Sequence, residues 1–202
     1  LKENPHGSVD PATVPCDYVL YSHAHDDHIA DALNLVRLHR ATIVAPFELA
    51  MHFEAQGARA LDLMPGGGVN LPWGRMQMTP AVHSSSLELP GGENRAMGVA
   101  AGYVIRAENR AIYHAGDTAL FSDMELIGRG GLDLALLPIG DFYTMGADDA
   151  VEALNRLRPR LAIPMHYSTS GRIKADPQAF ATTAARAGHT VRVLTAGETS
   201  VI

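Results

Sequence analysis

Six consecutive residues constrain this chain more than any other feature: His23-Ala24-His25-Asp26-Asp27-His28. The apolar run Asp17–Tyr21 before them reads as a buried strand. The stretch Ile29–Arg40 after them repeats apolar residues at helical spacing, with Ile29, Leu33 and Val36 on one face. Any fold must therefore bring a strand end, a histidine cluster and a helix start together. Side chains alternate along an extended segment, so His23 and His25 point the same way and can grip one ion. Asp27 and His28 fall where the chain turns into the helix, placed to swing toward a second ion. Imidazole nitrogens with one carboxylate suit zinc best, with manganese or iron as alternatives. Capping of the helix would explain Asp26 or Asp27, but none of the three histidines.

A two-metal hydrolytic site needs further ligands and a bridging carboxylate. Three strand-like runs each lead into a candidate: Met76–Val82 into His83, Arg110–Gly116 into Asp117, and Leu161–Met165 into His166. In order and placement, His23, His25, Asp27, His28, His83, Asp117 and His166 resemble the metallo-β-lactamase superfamily. Its signature is His-x-His-x-Asp-His followed by a distant His, a distant Asp and a final His. The resemblance implies that His23, His25 and His83 hold one metal, that Asp27, His28 and His166 hold the other, and that Asp117 bridges them. Smaller strings narrow the branch: Tyr113-His-Ala-Gly-Asp-Thr118, Leu137-Pro-Ile-Gly140, Thr144-Met-Gly146 and Ile163-Pro-Met-His-Tyr167. These resemble bacterial metal-dependent hydrolases related to ascorbate-6-phosphate lactonases and to the phospholipase D that cleaves N-acyl phosphatidylethanolamine. Members usually carry a pair of strands before the motif, so Leu1–Pro5 reads as the tail of such a segment. A sheet without that pair would have an open edge.

The resemblance implies an αβ/βα sandwich, two mixed sheets with helices on the outer faces, in a single hydrolase domain over 1–202. Periodicity alone says only α/β with layered sheets. Strands are expected at Asp17–Tyr21, Thr42–Ala45, Val69–Leu71, Arg75–Val82, Gly98–Arg106, Ala111–His114, Leu132–Leu137 and Leu161–Met165, with two more, Thr190–Leu194 and Ser200–Ile202, closing the chain. Helices are expected at Ile29–Arg40, from Pro46, and at Leu120–Ile127, Ala147–Leu157 and Asp176–Ala187, the last ended by Gly188. Ser84–Arg95 reads as a polar loop following His83, a candidate substrate-facing segment or a plain surface connection.

The 202 residues carry 16 basic against 22 acidic side chains, which argues against a nucleic-acid partner; the expected partner is a small-molecule substrate. Cys16 is the only cysteine, so there is no disulfide framework, and a reducing, cytoplasmic setting is expected. No apolar run is long enough for a membrane span. A homo-oligomer stays open.

The chemistry expected of such a site is hydrolysis. Two close ions lower the pKa of a shared water, so a metal-bound hydroxide attacks the carbonyl or phosphoryl centre of a small ester, lactone or phosphoester. Asp27 would bind metal and also orient the nucleophile or accept its proton. Two other readings stay open: a non-catalytic protein whose metal only stabilises a binding scaffold, and a di-iron redox enzyme on the same fold. Flavodiiron members usually replace the second motif histidine by Glu, whereas His25 is retained here. His114 is either a supporting partner of the site or a histidine bonded within the strand layer. Tyr143, Tyr167 and Ser85 are either substrate donors or packing residues. His6, His39, His52 and His189 read as surface or helix histidines, and the eight methionines as core filler.

Overall fold

The computed structural model describes Gly7 and residues 9–202. Leu1–Pro5 and His6 lie outside the described residues. After a 3₁₀ turn at Pro11–Thr13 come β1 (Tyr18–Leu20), α1 (Asp26–Ile29), α2 (Ala32–His39), β2 (Thr42–Pro46), α3 (Phe47–Glu54) and β3 (Ala60–Leu63). Then follow β4 (Gly68–Leu71), β5 (Gly74–Pro80), β6 (Ser86–Glu88), β7 (Asn94–Ala96), β8 (Ala101–Ala107) and β9 (Arg110–His114). The chain ends with α4 (Met124–Gly128), β10 (Leu134–Pro138), α5 (Ala147–Leu157), β11 (Leu161–Met165) and α6 (Pro177–Arg186).

Two sheets face each other. One has the order β1-β2-β3, the other β11-β10-β9-β8-β5-β4, and β6 pairs with β7 as a separate ribbon. The six-stranded sheet is mixed as expected, with β9, β10 and β11 parallel. The described strands of the three-stranded sheet run parallel throughout.

Three apolar clusters mark the three interfaces of a four-layer sandwich. Ile43, Leu49, Phe53 and Val36 join the small sheet to α2 and α3. Tyr113, Leu137, Leu154 and Phe180 join the large sheet to α4–α6. Between the sheets lie Val44, Met76, Met78 and Tyr103, with Tyr18, Leu20, Leu61 and Leu63 around them. Along β2 the alternation is visible: Ile43 and Ala45 face the helices, Val44 the opposite sheet. On α5, Ala150, Ala153, Leu154 and Leu157 form one buried stripe at helical spacing. At the start of α6, Asp176 caps the amides of Gln178 and Ala179, and Pro177 takes the first helical position.

The buried Tyr103 hydroxyl crosses between the sheets, donating to the Tyr21 carbonyl at 2.7 Å and lying 3.2 Å from that of Val44. Tyr103→Phe should cost about 1–2 kcal/mol, the worth of one buried hydrogen bond. Urea unfolding measures this, and an unchanged midpoint would mean the bond contributes nothing to docking of the sheets.

Several expected elements differ. The helix expected over Ile29–Arg40 is two helices, broken at Ala30 and Asp31, because Asp31 leaves helical backbone and aspartate is a poor helix-interior residue. The two closing strands are not formed. Ala162 and Val191 make only an isolated bridge, and beyond it the Glu198 carboxylate takes the Thr195 amide and hydroxyl, building a turn in place of a ladder. The loop expected at Ser84–Arg95 contains the β6–β7 ribbon. α4 starts at Met124, four residues after the expected start, and β3 was not anticipated.

Candidate metal centre

Strand direction collects the candidate ligands at one edge. β5 and β9 are both antiparallel to β8 and so run the same way, and β10 and β11 run with β9. The segments that leave β5, β9 and β11 therefore emerge together, carrying His83, Asp117 and His166, where the motif after β1 also arrives. Asp117 is preceded by Gly116 at φ +66°, where a Cβ would lie 2.5 Å from the Ala101 carbonyl oxygen, so only glycine lets the turn close. His166 itself stands at φ +53°, a left-handed conformation uncommon for residues other than glycine. Its carbonyl abuts Gly140, whose absent Cβ would lie 2.2 Å away.

All seven residues singled out from the sequence are brought together. Their donor atoms form three overlapping triads, each within 4.8 Å: His23–His25–His83, His23–His28–Asp117 and Asp27–His28–His166. In the first, His25 Nδ1 lies 2.9 Å from His23 Nε2 and 3.3 Å from His83 Nε2. Asp117 joins the ends, its Oδ2 3.1 Å from His166 Nε2, 3.4 Å from His28 Nε2 and 3.8 Å from His83 Nε2. Asp27 Oδ2 lies 3.6 Å from His28 Nε2 and 3.8 Å from His166 Nε2. His23 and Asp117 are buried, whereas the Asp27 side chain is 68 % exposed, so the cluster opens to solvent at Asp27.

Charge separates the two halves. Burial, reinforced by His28, pushes the His23 pKa down to about 3, and burial also lowers His83. Burial opposes ionisation of Asp117, but its bonds with His166 and His28 outweigh that and hold the carboxyl well below the usual range. His166 brings Asp27 down to about 2 against the opposing effect of burial. Burial works against a charged His166, yet Asp117 and Asp27 together raise it to about 10.

The donor set fits divalent cations. His25 Nδ1 faces two other ring nitrogens at once, and one proton on it cannot serve both, whereas a cation among them accepts every lone pair. Zinc with nitrogens at about 2.0 Å in a tetrahedron sets neighbouring nitrogens about 3.3 Å apart, close to the spacings found here. The buried His23 ring is already oriented, since its Nδ1 bonds the Ser22 hydroxyl at 2.9 Å and leaves Nε2 for the cluster.

Ser22 was not picked out from the sequence, although a serine directly before the first motif histidine is a usable signal. Thr118 was not picked out either. Its hydroxyl accepts from the Val82 amide at 2.9 Å, and Ala119 N bonds the Val82 carbonyl, stitching the residue before His83 to the one after Asp117. Ser85 is not free to meet substrate. Its buried hydroxyl accepts from Ala24 N and donates to Met97 O, pinning the motif to the chain beyond the ribbon. Its neighbour Ser84 does reach the cluster, with Oγ 3.3 Å from His25 Nε2. His114 Nδ1 accepts from Gly116 N at 3.1 Å, and burial lowers its pKa, so the neutral ring braces the Asp117 turn. Tyr167 packs against the helix-side core, while His52 and His189 bond Gln56 and Asn155.

Comparison with known proteins identifies the family. A family model for the beta-lactamase superfamily domain matches residues 3–167. The chain belongs to the metallo-β-lactamase superfamily. Within it, a UPF0173 metal-dependent hydrolase from Opitutus terrae is 66 % identical over 199 residues, 98 % of this chain and 88 % of that protein. A UPF0173 metal-dependent hydrolase from Thermus thermophilus is 43 % identical, over 98 % of this chain and 86 % of its own length. Among solved structures, Igni18, a metallo hydrolase from Ignicoccus hospitalis, superposes with a TM-score of 0.88 at 36 % identity, covering 96 % of this chain and 84 % of that one. The activity that goes with this membership is metal-dependent hydrolysis on a metallo-β-lactamase fold. Among the described residues no helix is long and apolar enough to cross a membrane.

Proposed function

We propose that the chain is a binuclear hydrolase of small esters, lactones or phosphoesters, in which His23, His25 and His83 hold one divalent ion and Asp27, His28 and His166 a second. Asp117 lies between the two and serves both. The observation that carries this reading is the placing of Asp117 in the middle triad, which shares His23 with one outer triad and His28 with the other. Its Oδ2 reaches His83 of the first and His166 of the second. Zinc is the ion the donor set suits best, with manganese or iron as substitutes. When bound, such ions activate water near neutral pH and polarise the oxygen of a carbonyl or phosphoryl group.

The chain's own residues supply the rest. His23, fixed through Ser22, presents one nitrogen in one orientation. Asp27, anionic and at the open mouth, orients the attacking water or takes up its proton, a role worth about 10²–10⁴-fold. A purely structural metal site is usually closed by protein ligands on every side, and the exposure of Asp27 runs against that. The single free cysteine, Cys16, accords with a reducing, cytoplasmic setting.

Metal analysis by mass spectrometry of protein purified without chelator should find about two equivalents per chain. The double change His25→Ala, Asp27→Ala removes a donor from each half and should lower both metal content and hydrolysis, the latter by at least about 10³-fold. Full activity in the metal-loaded double variant would sink the assignment.

A further inference from the structure

Beside His166 stands a cluster of side chains that neither folding stability nor the metal centre accounts for. Phe142 and Tyr143 are 62 % and 49 % exposed, their rings 4.7 Å apart and nearly perpendicular. Arg172 lies over Phe142, Cζ 5.5 Å from the ring centroid, and its Nη1 donates to the Tyr143 hydroxyl at 3.3 Å. Exposed aromatic surface is unfavourable, and here it is displayed at backbone cost: Asp141 and Phe142 both stand at positive φ, +60° and +57°. The Asp141 amide, bonded to the Met145 carbonyl, holds that conformation.

The cluster is tied to the centre through the backbone. β10 and β11 are parallel with Pro138 opposite Met165, so the two segments leave the sheet at one level. The Ile139 amide bonds the Met165 carbonyl, and Gly140 abuts the carbonyl of His166. Met145 N bonds the carbonyl of Thr118, the residue after Asp117. On the other segment, Ser168 N bonds Ile173 O, and buried Ile173 packs against Gly140, closing the loop that carries Arg172. These contacts hold the three side chains in register with His166 and Asp117.

Arg172 has donors to spare. A guanidinium carries five N–H groups in a planar fork, and Tyr143 occupies one. Among the described residues no carboxylate lies within ion-pair distance of it. The nearby Asp141 carboxylate turns instead toward Gly146, with Cγ 3.5 Å from where a Cβ would stand. Lys174, two residues on and exposed, adds positive charge. In a chain with a net charge of −6, an arginine stacked on one ring, hydrogen-bonded to another and without an acidic partner among the described residues is a pre-organised anion receptor.

We propose that Phe142, Tyr143 and Arg172 form the recognition subsite of this centre, binding a substrate that carries an anionic oxygen group, carboxylate or phosphate, next to an apolar body. This rests on the hydrolase reading above. Arg172 takes the anion through its fork, the two rings cover the apolar part, and the bond to be cleaved is left toward His166 and Asp27. A neutral ester of the same shape loses the guanidinium contact.

The test is calorimetric titration of metal-loaded protein with 4-phenylbutyrate, phenyl phosphate and the neutral 4-phenylbutanol, on wild type, Arg172→Ala and Arg172→Lys. The expected result is that Arg172→Ala weakens one or both anions by at least about tenfold, the scale of a charge-assisted bond, and leaves the alcohol within about twofold. Arg172→Lys should fall between, keeping charge but losing the fork. The tighter anion identifies the group recognised. Equal affinity for the anions in wild type and Arg172→Ala, an equal loss for the alcohol, or no anion binding to wild type would each overturn the proposal. Metal content and melting temperature of each variant, both expected to be unchanged because Arg172 is exposed, separate this outcome from failure of the hydrolase reading, which would show as absent metal.

Discussion

Asp117→Asn should cost the protein one metal equivalent and at least about 10²-fold in turnover, about 2.7 kcal/mol of barrier. Asparagine has nearly the same shape, so the Gly116 turn and the His114 brace beneath it stay in place. What changes is charge. The carboxylate is buried, with Oδ2 within 3.8 Å of His28, His83 and His166, and it is the main support for the proton on His166. An amide in its place presents either a neutral oxygen or an N–H directed at those rings, and a buried donor without an acceptor is costly. A single change at this position therefore acts on both halves of the cluster, whereas His83→Ala acts mainly on one. Metal analysis and steady-state kinetics on the same preparation check this. Two equivalents of metal with unaltered kcat would show that Asp117 is not shared between ions.

The contrast between ligands and scaffold explains what could be read from the residues alone. The candidate ligands are histidines and aspartates that either form one compact motif after β1 or stand just beyond an apolar, β-rich run, and chemistry of that kind is local and visible. His83, Asp117 and His166 emerge together because β5, β9 and β11 run in one direction, a consequence of pairing that no single segment displays. The α5 and α6 helices were legible for similar reasons, one from its buried stripe and the other from Asp176-Pro177 and Gly188. What failed depended on side-chain bonds that composition does not display, some local and some distant. The Thr190–Leu194 and Ser200–Ile202 runs have strand-like composition, yet Glu198 captures Thr195 and the ladder never forms. Ser85 resembled a substrate donor because its position beside His83 was visible, whereas its bonds to Ala24 and Met97 were not. The break between α1 and α2 follows from Asp31, but it also shortens α1 to the single turn that carries Asp27 and His28 to the centre.

Metal uptake should separate by pH, because the two halves of the cluster hold protons differently. His23, with a pKa of about 3, and His83, also lowered by burial, are neutral at pH 7 and offer lone pairs at once. His166 in the metal-free protein keeps its proton up to about pH 10 between Asp117 and Asp27. An ion entering the second triad must displace that proton, so its apparent affinity should rise about tenfold per pH unit below pH 10, while the first ion binds without this dependence. The same protons act on folding stability. A raised His166 pKa contributes stability that is complete below 6.5 and is lost as pH climbs through about 10. A lowered His23 pKa works the other way: the unfolded chain gains a proton below 6.5 that the folded ring refuses down to about 3, so stability falls toward acid. Chelated protein should therefore be most stable near neutrality and weaken on both sides. In the metal-loaded protein the alkaline loss should vanish, since a cation stands where the His166 proton stood. Urea midpoints against pH for the two forms, with proton release measured by calorimetry in buffers of different ionisation enthalpy, decide the matter. An alkaline slope shared by both forms, with no proton released on binding of the second ion, would remove His166 from the ligand set.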